Sequence, residues 1–112
     1  MVEKISKDKI EPKEDPCGLL RELYSSENLS IAHDVVLGKA RKHKHIKMEE
    51  VYYVEKGSGK LIIGDEVLSI KTGDLVAIPK NTLHYLKKEN NKDFEVLVIT
   101  YPKFDADDLI YE

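Results

Sequence analysis

The stretch HKHIKMEE, residues 43 to 50, holds two histidines one residue apart, His43 and His45, and two adjacent carboxylates, Glu49 and Glu50. Imidazole and carboxylate together make a donor set for a divalent transition metal. On a helix, His43 and His45 would point about 200° apart and could not share an ion. On a strand, the same spacing puts both on one face, about 6.6 Å apart along the backbone. The pair therefore has chemical meaning only if the segment is extended.

The glutamates constrain the geometry further. On one continuous strand Glu49 would share the histidine face but lie about 13 Å beyond His45, and Glu50 would point the other way. A carboxylate joins the histidines only if the chain reverses after His45. The polar run HIKME permits a reversal, which would place the site on a hairpin. A further imidazole comes from His84, in GDLVAIPKNTLHYLKK, where a Gly-Asp turn, a short apolar strand and a proline turn can fold the next strand back across a sheet. Three neutral imidazoles and one carboxylate would hold a divalent transition metal with positions open to water or substrate.

The same residues have plainer readings. An H-x-H pair in a lysine-rich strand is commonly a solvated face, and Glu49 a surface carboxylate. Lys39, Arg41, Lys42, Lys44 and Lys47 could form a strip for a polyanion. If the histidines point inward, Lys42 and Lys44 must point outward. His33, alone on its strand, reads as structural.

The elements around these residues are short. Residues 1–16 hold nine charges and two prolines, the composition of an arm. From Cys17 onward, LLRELY, LSIAHDVVL, EVYYVEKG, KLIIGDEVLSIKTGD, LVAIP, LHYLKK and FEVLVITY are separated by Gly, Asn, Asp and Pro turns. That is roughly eight strands at hairpin spacing with no convincing helical period, the pattern of an all-β sandwich or barrel. The tail DADDLIYE suits either a helical turn or an added strand.

Composition bounds the rest. A chain of 112 residues makes one domain, and a net charge of −3 gives no general attraction to nucleic acid or anionic lipid. One cysteine, Cys17, cannot form an internal disulfide and suits a reducing compartment. With no membrane-length apolar run and no signal-like N-terminus, the expectation is a cytoplasmic protein without membrane or nucleic-acid partners. Two Arg among 18 basic residues leave 16 Lys; with 12 Glu and no Gln, this is a thermophile-like bias.

Gly38 to Gly57, with His43, His45 and Glu50 between them, resembles the first motif of the cupin family. Gly73 to His84, with Pro79 inside it, resembles the second. The resemblance spans roughly residues 17–102 and implies an antiparallel jelly-roll β-barrel, a single cupin domain over 17–112 behind the 1–16 arm, and commonly a homodimer. It places the metal ligands on His43, His45, Glu50 and His84, and so selects Glu50 over Glu49. One divalent transition metal (Mn, Fe, Ni or Zn) is the implied cofactor. Three positions depart from the pattern: the entry to His43 is one residue short, Asn81 replaces a glycine, and Lys88 replaces a terminal asparagine. None is a ligand position, and Asn tolerates a left-handed turn.

If Glu50 faces inward, Tyr52 and Val54 follow it by period two, and Leu86 follows His84 while Tyr85 does not. Tyr52 is then a pocket candidate able to donate a proton or hydrogen bond. The resemblance points to a metal-dependent enzyme on a small organic substrate, of dioxygenase or sugar or sugar-phosphate isomerase type. The other class it allows is a ligand-binding or sensor domain without turnover.

Overall fold

The structure is a computed structural model and describes residues 2–38 and 41–112; Lys39, in the basic strip, lies outside them. Among these residues the chain forms β1 (Lys13–Glu14), β2 (Gly18–Ser25), β3 (Ser30–Val36), β4 (His43–Lys44), β5 (Glu49–Lys56), β6 (Ser58–Ile63), β7 (Glu66–Lys71), β8 (Leu75–Ile78), β9 (His84–Lys88), β10 (Glu95–Tyr101) and β11 (Ile110–Tyr111). Eight of them have four or more residues, matching the strands expected from turn spacing; β1, β4 and β11 are two-residue additions.

Two antiparallel sheets face each other as a jelly-roll barrel, one in the order β1-β2-β3-β10-β5-β8 and the other β11-β4-β9-β6-β7. The breaks fall where the turn chemistry allows a sharp change of direction. Gly57, at φ 82°, joins β5 to β6 where a Cβ would strike the Asp93 carbonyl. Asn81 adopts φ 60°, so the left-handed turn expected of it survives without glycine. Its N–H donates to the His45 carbonyl, tying the turn before His84 to the end of the H-x-H segment.

The core lies between the sheets. Tyr52, Val54, Leu61, Leu86, Phe94 and Val96 are almost wholly removed from water, each burial stabilising by about 1.5–3 kcal/mol. The pleat explains the selection: Glu50, Tyr52 and Val54 alternate inward along β5, as His84 and Leu86 do along β9, whereas Tyr85 is half-buried. Register then stacks the inward residues of the larger sheet in rows. Ile78, Glu50, Thr100 and Ser30 form one row; Val76, Tyr52, Val98, Ala32 and Glu22 the next; Val54, Val96, Asp34 and Leu20 a third.

Both ends of the chain join the sheets. Lys13 and Glu14 pair with Leu20 and Leu19, so the end of the charged arm lies along the first sheet. The tail forms both candidate structures in turn, a 3-10 turn at Ala106–Asp108 and then β11 on β4. Among the described residues no helix is long and apolar enough to cross a membrane.

Candidate metal centre

His43 and His84 are direct cross-strand partners on β4 and β9, which brings their rings to 4.4 Å between centroids. His45 follows on the same face, 5.2 Å from the His43 ring and 5.3 Å from that of His84. Glu50 arrives from the opposite sheet, with Oε1 3.1 Å from His84 Nε2 and 3.4 Å from His45 Nε2. All four side chains are buried, and one donor atom from each lies within 4.8 Å of all the others. Glu49 is half-buried outside this cluster.

The hairpin expectation needs correction. β4 pairs with β9 and β11, whereas β5 pairs with β10 and β8 in the other sheet. The chain turns a corner between sheets at residues 46–48 instead of folding back on itself. The reason is Asp108, sixty residues away, whose carboxylate accepts from the backbone N–H of Ile46, Lys47 and Met48 at 3.0, 2.9 and 2.8 Å. Burial would raise its pKa, but these donors hold it below the ordinary value. Sequence reasoning missed Asp108, because nothing in DADD marks one acid as the partner of so distant a corner. Replacing Asp108 by Ala strands three N–H groups and should cost about 3 kcal/mol in urea denaturation. An unchanged midpoint would show that the corner holds itself.

Two of the three histidines, His43 and His84, are held in a metal-ready tautomer. His43 Nδ1 donates to the Arg41 carbonyl at 2.7 Å and His84 Nδ1 to the Thr82 carbonyl at 2.8 Å. In a neutral ring this leaves an Nε2 lone pair to face the cluster. His84 then presents Nε2 to a carboxylate oxygen, so both its nitrogens meet acceptors. Either a second proton or a cation between Nε2 and Oε1 resolves that conflict. Two donors about 2.1 Å from one ion at right angles stand about 3 Å apart, close to the separation here. Among the described residues neither nitrogen of His45 has a hydrogen-bond partner, Nε2 standing 3.4 Å from Glu50 Oε1. The donor set fits a divalent metal.

The electrostatics agree. Burial would raise the Glu50 pKa, yet His45 and His84 hold it well below the usual carboxylate range. Burial would lower that of His45, but Glu50 and then Asp108 leave it raised. His43 drops to about 4, chiefly through burial, against the opposing Arg41 carbonyl.

His43, His45 and Glu50 of the cluster border a narrow cavity between the sheets. Tyr52 also lines it, and Leu20, Ala32, Val98, Phe104 and Leu109 supply apolar wall. Tyr52 is 1% exposed, with its ring edge-on to His84 at 6.2 Å. Burial first, then the charges of Glu50 and Cys17, push its phenol upward. The remaining sequence candidates lie elsewhere. His33 pairs with Glu95 at 2.8 Å; Arg41 stacks on Tyr111; Lys42 pairs with Glu112 at 3.4 Å.

A double-sheet barrel with three histidines and a glutamate converging at one mouth is the architecture of a metal-binding cupin. The chain belongs to the cupin family: residues 36–100 match the cupin domain model. An uncharacterised protein of Methanocaldococcus jannaschii is 32% identical over 109 residues, covering 90% of this chain and 87% of that one. Among solved structures, a protein from Planctomyces limnophilus superposes with TM-score 0.87 at 21% identity, over 99% of this chain and 97% of the other. Streptomyces Pac13, a nucleoside dehydratase, was solved as a variant with uridine and superposes at TM-score 0.85 and 18% identity, over 100% and 92% of the two chains. KdgF from Halomonas gives 0.83 at 16%, over 94% and 97%. At such identities these structures establish a shared fold.

Proposed function

We propose that this cupin is a metal-dependent enzyme acting on a small organic molecule, with His43, His45, Glu50 and His84 as the ligands of one Mn, Fe, Ni or Zn ion. The observation that carries the reading is the buried four-donor cluster, three of whose members, His43, His45 and Glu50, line a cavity between the sheets. A bound ion of this kind would supply a Lewis acid with open coordination positions. Thr82 and Arg41 hold His84 and His43 in orientation through Nδ1, and Glu50 keeps its carboxylate charged despite burial. Tyr52 supports Glu50 from the adjoining row and places a proton-bearing hydroxyl at the cavity wall.

The lining also bears on the substrate. Asp15, Glu22, Asp34 and Glu50 line the cavity, and no Lys or Arg does so among the described residues. A phosphate ester would meet carboxylates in place of cations, which favours an uncharged substrate over a sugar phosphate. Enzymatic turnover, over mere ligand capture, is supported by the likeness to Pac13. We also infer a homodimer. Tyr53, Leu97 and Leu75 share a register line on the outer face of the first sheet, and Leu75 is 61% exposed, an apolar face suited to a second copy.

The test is NMR-monitored turnover of uridine and of unphosphorylated and phosphorylated sugars by metal-loaded and metal-free protein. Conversion of an uncharged compound only when metal is present is expected. Binding without conversion would favour the sensor class, and conversion independent of metal would sink the proposal.

A further inference from the structure

A second group of metal-ligating side chains lies outside the cluster just described. Asp15, Cys17 and Asp34 each bring a donor atom within 4.8 Å of the other two, and all three line the same cavity. Asp34 belongs to the third row of the larger sheet. Its partner on β10, Val96, stands four residues from Thr100, the partner of Glu50, so the two groups are about 13 Å apart along the strand. Tyr52 belongs to the row between them.

Asp34 is wholly buried, and its carboxyl oxygens accept from no N–H or hydroxyl among the described residues; its one hydrogen-bonding neighbour is the carboxyl of Asp15. That carboxyl is itself fixed by accepting from the N–H of Cys17 at 3.0 Å and of Gly18 at 2.7 Å. Two carboxylates in contact cannot both stay ionised away from water. Burial, then Asp15, accordingly pushes Asp34 up to about 10. Burial, then Asp34 and Asp15, likewise pushes the Cys17 thiol up. Three groups that become anionic on losing a proton are thus packed together at the cavity wall, with no Lys or Arg lining it among the described residues.

We propose that Asp15, Cys17 and Asp34 form a second metal site, for a thiophilic divalent ion such as Zn or Cd, at the far end of the cavity from the His/Glu cluster. A thiolate with two carboxylates suits such an ion, and the backbone hydrogen bonds to Asp15 pre-orient one ligand. Binding replaces the thiol proton of Cys17 and the carboxyl proton of Asp34, and both protons leave to solvent. Two carboxylates, one thiolate and a divalent ion carry a net single negative charge, so the filled site still offers no attraction to a phosphate. The proposal is independent of the assignment of the first site.

The experiment titrates metal-free protein with Cd(II), following stoichiometry and the ultraviolet Cd–thiolate charge-transfer band. Wild type should take up two equivalents, one of them producing the band. His45→Ala should bind one equivalent and keep the band; Cys17→Ser should bind one and lose it. Asp34→Asn, nearly identical in shape, should weaken the band-forming equivalent at least tenfold. A wild-type protein binding one equivalent without the band would overturn this site and leave the first intact. A band whose affinity is unchanged by Asp34→Asn would mark a lone thiol and equally overturn it. A band with one equivalent, indifferent to His45→Ala, would uphold this site and remove the first.

Discussion

Glu50→Gln protein is expected to keep its fold and lose metal affinity by on the order of a hundredfold or more. The amide keeps the volume of the buried side chain and can donate to His84 Nε2, which satisfies the ring once its Nδ1 is bound to Thr82. What disappears is the only carboxylate of the donor cluster. Calorimetric titration with Zn(II) or Mn(II), beside circular dichroism, separates the two effects; wild-type affinity in a folded variant would refute the ligand assignment.

The same cluster sets a pH signature. His45, raised above its ordinary 6.5, must release a proton before it can ligate, so metal affinity should fall with decreasing pH from above that value. His43, near 4, should add to the loss only in acid. Without metal the signs run differently. The raised His45 contributes stability that is complete below 6.5 and lost as pH rises through its folded value. The depressed Glu50 contributes stability that is present above 4.5 and lost as pH falls through its folded value. His43, lowered to about 4, works against the first of these, because below 6.5 the unfolded chain takes up its proton first and stability falls as pH falls. Metal, which requires deprotonated imidazoles, should add stability that grows as pH rises.

Asp34→Asn is expected to stabilise the metal-free protein at neutral pH. A carboxyl pushed from 3.8 to about 10 holds a proton that the unfolded chain releases. Folding then loses about 1.4 kcal/mol for each pH unit between those values. Sign and window follow together: the penalty is absent below 3.8 and grows as pH rises. Asparagine escapes it and can donate to Asp15. The melting temperature at pH 7 should rise by about 5 °C or more, with the difference vanishing near pH 3.5; equal melting temperatures at pH 7 would contradict the burial argument. A protein that keeps such an acid in its cavity has given up stability there, as functional sites commonly do.

Much of the architecture was legible before the fold was known, because it rests on local rules. Alternation along EVYYVEK predicts that Glu50, Tyr52 and Val54 share the inner face, and the side chains leave no room for another register without exposing Tyr52. Glycine and asparagine at turns, and Pro79 after LVAI, mark where strands must end. The extended spacing of His43 and His45 limits them to one face of a strand, and His84 meets them because β4 and β9 pair.

Other features depend on contacts between residues far apart in the chain. The HIKME segment is polar enough for a hairpin, but three backbone N–H groups found their acceptor in Asp108, and the chain crossed between sheets instead. The tail, equally suited to a turn or a strand, became both once β4 offered an open edge. Nothing in the sequence marks Cys17 as a ligand, because of its two acidic neighbours only Asp15 is close in the chain, and the proximity of Asp34 follows from the β2–β3 register. Spacing along the chain determines which side chains share a face. Which faces meet, and which acids are left in contact without a cation, is decided only when the sheets close over one another and water is excluded between them.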